Sequence, residues 1–153
     1  MEKITFDFGV KEYKIGNGVL RFNPSDPNVY ARMMGAMEKI QQVEESIVAK
    51  AKEKQEDEQV TGKAVLQLME ESDREVKKIL SDVFGNQNDF DKILGGVNVL
   101  AVAGNGERVI TNLINALFPI LQEGAQKCAR EQAGAAVTAA KLNRAQRRAA
   151  QRR

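Results

Sequence analysis

The sequence predicts a mainly α protein with a small N-terminal β-hairpin element, an α+β layout that ends in a basic tail. Three observations carry that prediction. Residues with β-branched or aromatic side chains crowd into the first 22 positions. Two long segments after them repeat apolar residues every three or four positions, the spacing of a helix with one buried face. Aromatic residues are only 5 % of the chain and Trp is absent, while charged residues reach 29 %, a balance typical of helix-rich proteins. A chain of 153 residues holds one domain, with or without a tail. The expected division is a β element at 1–22, a helical body at 23–125 and an Ala/Arg-rich tail at 126–153.

Thr5, Phe6, Phe8, Val10, Tyr13, Ile15, Val19, Leu20 and Phe22 are strand formers, and Gly16-Asn17-Gly18 separates two runs of them. Asn-Gly tolerates positive φ at both residues, so residues 11–22 read as a hairpin, with 3–8 as a third strand. A lone hairpin is marginal in water, so this element must pack on helices or on another copy of the protein. Asn23-Pro24-Ser25-Asp26-Pro27 ends the sheet, with Asp26 as N-cap and Pro27 at the first helical position, where its missing N–H is harmless. Tyr30, Met33, Met37, Ile40, Val43, Ile47 and Ala51 then form one apolar stripe. Lys50 to Gln59 is almost wholly charged or polar, a solvated helical extension or a linker.

A second helix is expected from about Gly62, burying Val65, Leu68, Met69, Val76, Ile79, Leu80, Val83 and Phe84 and ending at Gly85-Asn86. The two stripes suit antiparallel packing. Asp89 to Ala103 favours helix through Phe90, Ile93, Leu94, Val97 and Ala101, although Val97, Val99 and Val102 also fit a short buried strand. Asn105 is placed to cap a helix through Val109, Ile110, Leu113, Ile114, Leu117 and Leu121, which Pro119 should kink or end. Beyond Glu123 good helix formers dominate, but few large apolar residues follow Gly134, consistent with a helix that packs on nothing.

The chain contains no His and one Cys, which removes His bases, His metal sites and any disulfide within one chain. Cys128 lies among Ala and charged residues and reads as a small packing residue. Gly62-Lys63 is not a phosphate-binding loop, because Asp57 and Ala64 stand where that loop needs Gly and Ser or Thr. Gly104-x-Gly106 has Val109 in place of the third Gly of a dinucleotide fingerprint and reads as a turn. The acidic groups Glu44-Glu45 and Glu70-Glu71 with Asp73 sit in charged helical faces. No catalytic residue, metal ligand or cofactor site is expected, and an enzyme is the weakest reading. The start lacks a basic segment followed by an apolar one, and no stretch approaches the ~20 apolar residues of a membrane span. A cytoplasmic protein without membrane contact is therefore expected.

Two segments are candidates for binding. Met33, Met34, Met37 and Ile40 cluster on the first helix, and Met adapts to irregular apolar partners, so this group reads as core or as a protein-binding face. The other candidate is the tail, where residues 126–153 carry a net charge of +7 against −5 for residues 1–125. As a helix the tail aligns Arg144, Arg148 and Arg152 in one row, with Arg147 beside it and Arg153 following. Such a row can meet phosphates of structured RNA or an acidic protein, or serve only as a solubilising tail. No aromatic residue interleaves the arginines, so base stacking is not part of it.

The order of parts resembles a known family. A β-rich start, the phrase Phe22-Asn23-Pro24-Ser25-Asp26-Pro27, a helical body and the ending Asn143-Arg144-Ala145-Gln146-Arg147-Arg148 look like small tail assembly chaperones of long-tailed bacteriophages. The resemblance covers most of the chain as layout and some twenty residues as phrases. It implies a holdase without ATP that binds the long, apolar tape-measure protein, keeps it soluble and helps tail-tube subunits polymerise around it. It also implies that the host cytoplasm is the place of action. A longer product made by programmed frameshifting is frequent in that family. The alternatives from other classes are an RNA-binding module that uses the Arg-rich helix and a structural neck or tail component. Self-association is open on every one of these readings.

Overall fold

A computed structural model describes residues 1–55 and 61–151. Arg152 and Arg153, and the expected charged connector from residue 56 to 59, lie outside the described residues. The chain order is β1 (Lys11–Ile15), β2 (Gly18–Phe22), α1 (Pro27–Gln55), α2 (Thr61–Phe84), α3 (Phe90–Ile93) and α4 (Val109–Gln151). The protein is mainly α with a small N-terminal hairpin, as the sequence predicts.

β1 and β2 pair antiparallel, with Ile15 opposite Gly18 and Lys11 opposite Phe22. The turn residues are Gly16 and Asn17, and only Gly16 has positive φ (59°), the pattern of a type II′ turn rather than the double positive φ expected for Asn-Gly. Gly18 instead opens β2, and a Cβ there would overlap the backbone of Ile93, so its glycine is required by the close approach of α3. Residues 3–8 form no third strand. The Phe8 carbonyl accepts from Asn23 Nδ2 (2.9 Å), Asp7 Oδ1 accepts from the Gly9 N–H (2.8 Å), and the chain turns at Gly9 with φ 73°. Those bonds hold the segment away from any ladder.

α1 starts as its sequence specifies: Asp26 Oδ1 accepts the Asn28 N–H at 2.9 Å and Pro27 is the first helical residue. Its buried face is Val29, Met33, Ala36, Ile40 and Val43, so the apolar stripe is rotated slightly from the expected one and leaves Tyr30 and Met37 half-buried. α2 runs back alongside it, with Arg32 Nε near the start of α1 donating to the Val83 carbonyl near the end of α2 (2.9 Å). Gly85, at φ 106°, closes α2 with its N–H on the Ser81 carbonyl. Asn88 is buried and uses both ends of its amide: Oδ1 accepts the Arg21 N–H, and Nδ2 donates to the carbonyls of Arg21 and Phe84. This one side chain ties β2 to the end of α2.

Residues 89–103 are neither the expected helix nor the alternative strand. Asp89 caps a single turn, α3, and Gly95 and Gly96 both adopt positive φ and reverse the chain. Val99 and Leu100 drop into the core, and Val102 bridges to Arg108. Two bonds tie this segment to α2: Asp73 Oδ1 accepts the Val99 N–H (2.8 Å), and the Asn98 side chain donates through Nδ2 to the Met69 carbonyl. Asn105 does not cap α4. It bonds Asn112 and Glu107, while the carbonyls of Ala101 and Val99 receive the first N–H groups of α4, from Val109 and Ile110.

Pro119 neither ends α4 nor breaks it, since the helix continues for 43 residues from Val109 to Gln151. Pro119 and Asn115, whose carbonyl loses a partner, are both exposed, so water can satisfy that group. Ile110, Leu113, Leu117 and Leu121 join residues of α1, α2, α3 and both strands, including Leu20 and Phe22, in one core. At Gly124 the helix meets the turn before α1, and a Cβ there would overlap the Pro24 carbonyl. Past Cys128 every described residue of α4 is exposed.

One ionic group is buried in this core. Lys77 Nζ donates to Asp73 Oδ2 (2.8 Å) and Asp91 Oδ1 (2.6 Å), with only 7 % of the lysine side chain exposed. Burial pushes the ammonium down, but the hydrogen bonds from Asp73 and Asp91 and their charges outweigh it, and its pKa lies above the ordinary 10.5.

Two outcomes follow from this packing. Lys77→Met leaves the Asp73 carboxylate buried without its cation and should lower stability by about 3 kcal/mol in urea titrations. Because the folded-state pKa is raised, the lysine contribution is complete below 10.5 and declines as pH climbs past it. Tyr13, raised above 10.0 by burial and then by Glu123, acts in the same direction, so the variant should keep a shallower but non-zero alkaline loss of thermal stability. Gly124→Ala adds a good helix former yet collides with Pro24, and it should destabilise by about 1–3 kcal/mol; a gain in melting temperature would contradict the contact.

Candidate functional site

The four residues grouped on the first helix by their sequence spacing do not share one face. Met33 and Ile40 are buried in the core, Met37 is half-buried and Met34 is exposed. Only Met34 meets solvent freely. The difference is one of helical phase: adjacent residues point about 100° apart, and the core takes the Val29, Met33, Ala36 and Ile40 side. The acidic groups are likewise dispersed. Asp73 is spent on Lys77 and Val99, Glu70 and Glu71 are exposed, and Glu44 approaches Arg108 at 3.7 Å. Among the described residues no group of three His, Cys, Asp or Glu side chains is placed to hold a metal ion. Cys128 is a half-buried free thiol on α4.

Four surfaces remain open. The distal half of α4, residues 129–151, is helical and exposed along its whole length. At 1.5 Å per residue it reaches about 35 Å beyond the body. Its face is largely Ala, with Val137 and Leu142 as the exposed large apolar residues. Lys141, Arg144, Arg147 and Arg148 lie near its end, and no ion pair to them occurs among the described residues. Arg144 and Arg148 are one helical turn apart, as their spacing requires.

The second surface is an apolar groove of about 920 Å³. Tyr13, Lys14 and Ile15 of β1 form one wall, Ala116, Leu117 and Ile120 of α4 the other, and Leu94 and Val97 close one end. The third is the N-terminal arm. Ile4, Phe6, Phe8 and Val10 are all exposed, with the Phe6 and Phe8 rings in contact at a centroid distance of 4.3 Å. A further cleft of about 500 Å³ between α1 and α2 is rimmed by Lys39, Glu71, Glu75, Lys78 and Asp82 and is mainly polar.

The groove escaped the sequence because its walls come from segments about a hundred residues apart and its end from a loop held by α2. Its only signal is local: Val97, Ala116 and Ile120 are apolar residues outside the buried set. No helix among the described residues is long and apolar enough to cross a membrane. Compared with protein-family models, with curated proteins and with solved structures, the chain gives no match to any of them.

Proposed function

We propose that this protein is a non-enzymatic protein-binding factor that acts as a tail assembly chaperone of a long-tailed bacteriophage. The observation that carries the reading is the distal half of α4. This stretch continues a packed helix but buries no face of its own, so it gains most from a partner laid along it. Its small Ala side chains let a second helix approach closely, Val137 and Leu142 supply apolar anchors, and the terminal cations favour an acidic or helix-C-terminal partner. A long apolar tape-measure protein is the client that the family resemblance implies. The acidic body keeps such a complex soluble, and tail-tube subunits would displace it during polymerisation. On this reading the protein works in the host cytoplasm and leaves the finished particle. A structural neck or tail component would instead be found in purified particles.

RNA binding is the second reading, favoured by the row of Arg144 and Arg148 with Arg147 beside it, free of ion pairs among the described residues. It would require affinity that falls steeply with salt.

Co-expression with a candidate tape-measure protein separates the two. The full chain should raise the soluble fraction of the client several-fold. Removing residues 129–153, of which 129–151 are exposed throughout, should abolish that gain while the melting temperature of the body stays unchanged. Failure to rescue, together with co-purifying nucleic acid that high salt strips away, would replace the chaperone with the RNA reading.

A further inference from the structure

The arm and the groove of this chain are complementary in pattern, charge and free hydrogen bonds. In residues 3–8, Ile4, Phe6 and Phe8 alternate with Lys3, Thr5 and Asp7, the pattern of a strand with one buried face, yet all six are exposed. The hairpin supplies an edge of matching kind. Because Ile15 and Gly18 close a two-residue turn, Lys11, Tyr13 and Ile15 point their main-chain groups into the ladder, and Glu12 and Lys14 point theirs outward. On β2 the outward groups of Arg21 are both taken by Asn88. On β1 those of Glu12 and Lys14 receive no hydrogen bond from another segment among the described residues. Beside this edge lies the apolar groove, whose wall is formed by Tyr13 and Ile15.

We propose that residues 3–8 of one copy add as a strand to the free edge of β1 in a second copy, with Phe6 and Phe8 seated in its groove, and that the exchange is reciprocal and makes a two-fold dimer. A register that sets Asp7 opposite Lys14 also sets Phe6 and Phe8 beside Tyr13 and Ile15, in either strand direction. Charge pairing and aromatic burial therefore select the same alignment. The arm does not reach its own edge in this structure: Asn23, just after β2, holds the Phe8 carbonyl, and Gly9 turns the chain there. A second copy supplies what the first cannot use. Two exchanged arms and their seats remove on the order of 1,500 Å² from water, the standard size of a specific interface. The exchange also covers an exposed strand edge that would otherwise invite open-ended association.

Sedimentation of the full chain should give a dimer. Two variants should each give a monomer: Phe6→Asp with Phe8→Asp, which spoils the arm, and Lys14→Pro, which removes an outward N–H from β1 without touching its ladder with β2. Mixing the two should restore dimers, since each mixed pair keeps one intact arm and one intact edge. A second measurement does not depend on either variant folding. In a Cys128→Ser background, a copy with Phe8→Cys and a copy with Ala116→Cys should form a disulfide between chains on oxidation. A monomeric wild type, a dimer that survives both variants, a mixture that stays monomeric, or no disulfide between the two copies would each overturn the exchange. This test is independent of tape-measure binding, so it can succeed where the chaperone reading fails, and the reverse.

Discussion

The bond between Lys77 and Asp73 is the constraint on which most of the remaining architecture leans. It places a cation and a carboxylate inside a core of Val, Leu and Phe, an arrangement that is tolerable only when every lone pair and proton is used. Asp73 uses one oxygen on Lys77 and the other on the Val99 N–H, while Lys77 reaches on to Asp91. Through these bonds α2 fixes both the single turn of α3 and the irregular segment after it. That segment in turn offers the carbonyls of Val99 and Ala101 to the first turn of α4. The start of the longest helix is thus set by a residue pair on another helix. Asn88 does for the hairpin what Lys77 does for the loop: its amide joins the Arg21 main chain of β2 to the Phe84 carbonyl at the end of α2.

This dependence explains what was legible in the sequence. α1 and α2 were readable because their signals are local: Asp26 and Pro27 begin one, Gly85 ends the other, and the apolar spacing needs no knowledge of the partner helix. Residues 89–103 were not, because their main chain is satisfied by irregular local turns and, at Val99 and Leu100, by the side chains of Asp73 and Asn98, and none of these pairings leaves a periodic trace. The same limit applies to the buried face of α1. The apolar stripe already included Met33 and left out Met34, and the fold buries the first and exposes the second, but spacing alone did not show that Val29 and Ala36 rotate the buried face away from Tyr30 and Met37. Gly18 read as a turn residue in sequence, whereas in the fold it marks, as Gly124 also does, a point where two backbones touch.

The N-terminal arm was read as a strand from its alternation, and the structure leaves that strand without a partner. The conflict is informative, since a pattern with a buried face that finds no core within its own chain implies burial elsewhere. The same logic separates the arm from the distal part of α4. The arm carries large aromatic side chains, whereas the distal helix carries mainly small ones. The arm and the distal helix share no residues, so the exchange proposed for one and the client contact proposed for the other can be tested separately.

The contact between Gly124 and Pro24 has a mechanical consequence. Gly124 is the last fully buried residue of α4, and about 40 Å of helix extends beyond it as a lever. A tilt of only about 10° there would sweep the arginine-bearing tip through about 7 Å, more than the pitch of one helical turn. The pivot sits beside the turn that also holds Asn23, and Asn23 holds the arm. One turn thus touches both the arm, through Asn23 and the Phe8 carbonyl, and the base of the exposed helix, through Pro24 and Gly124.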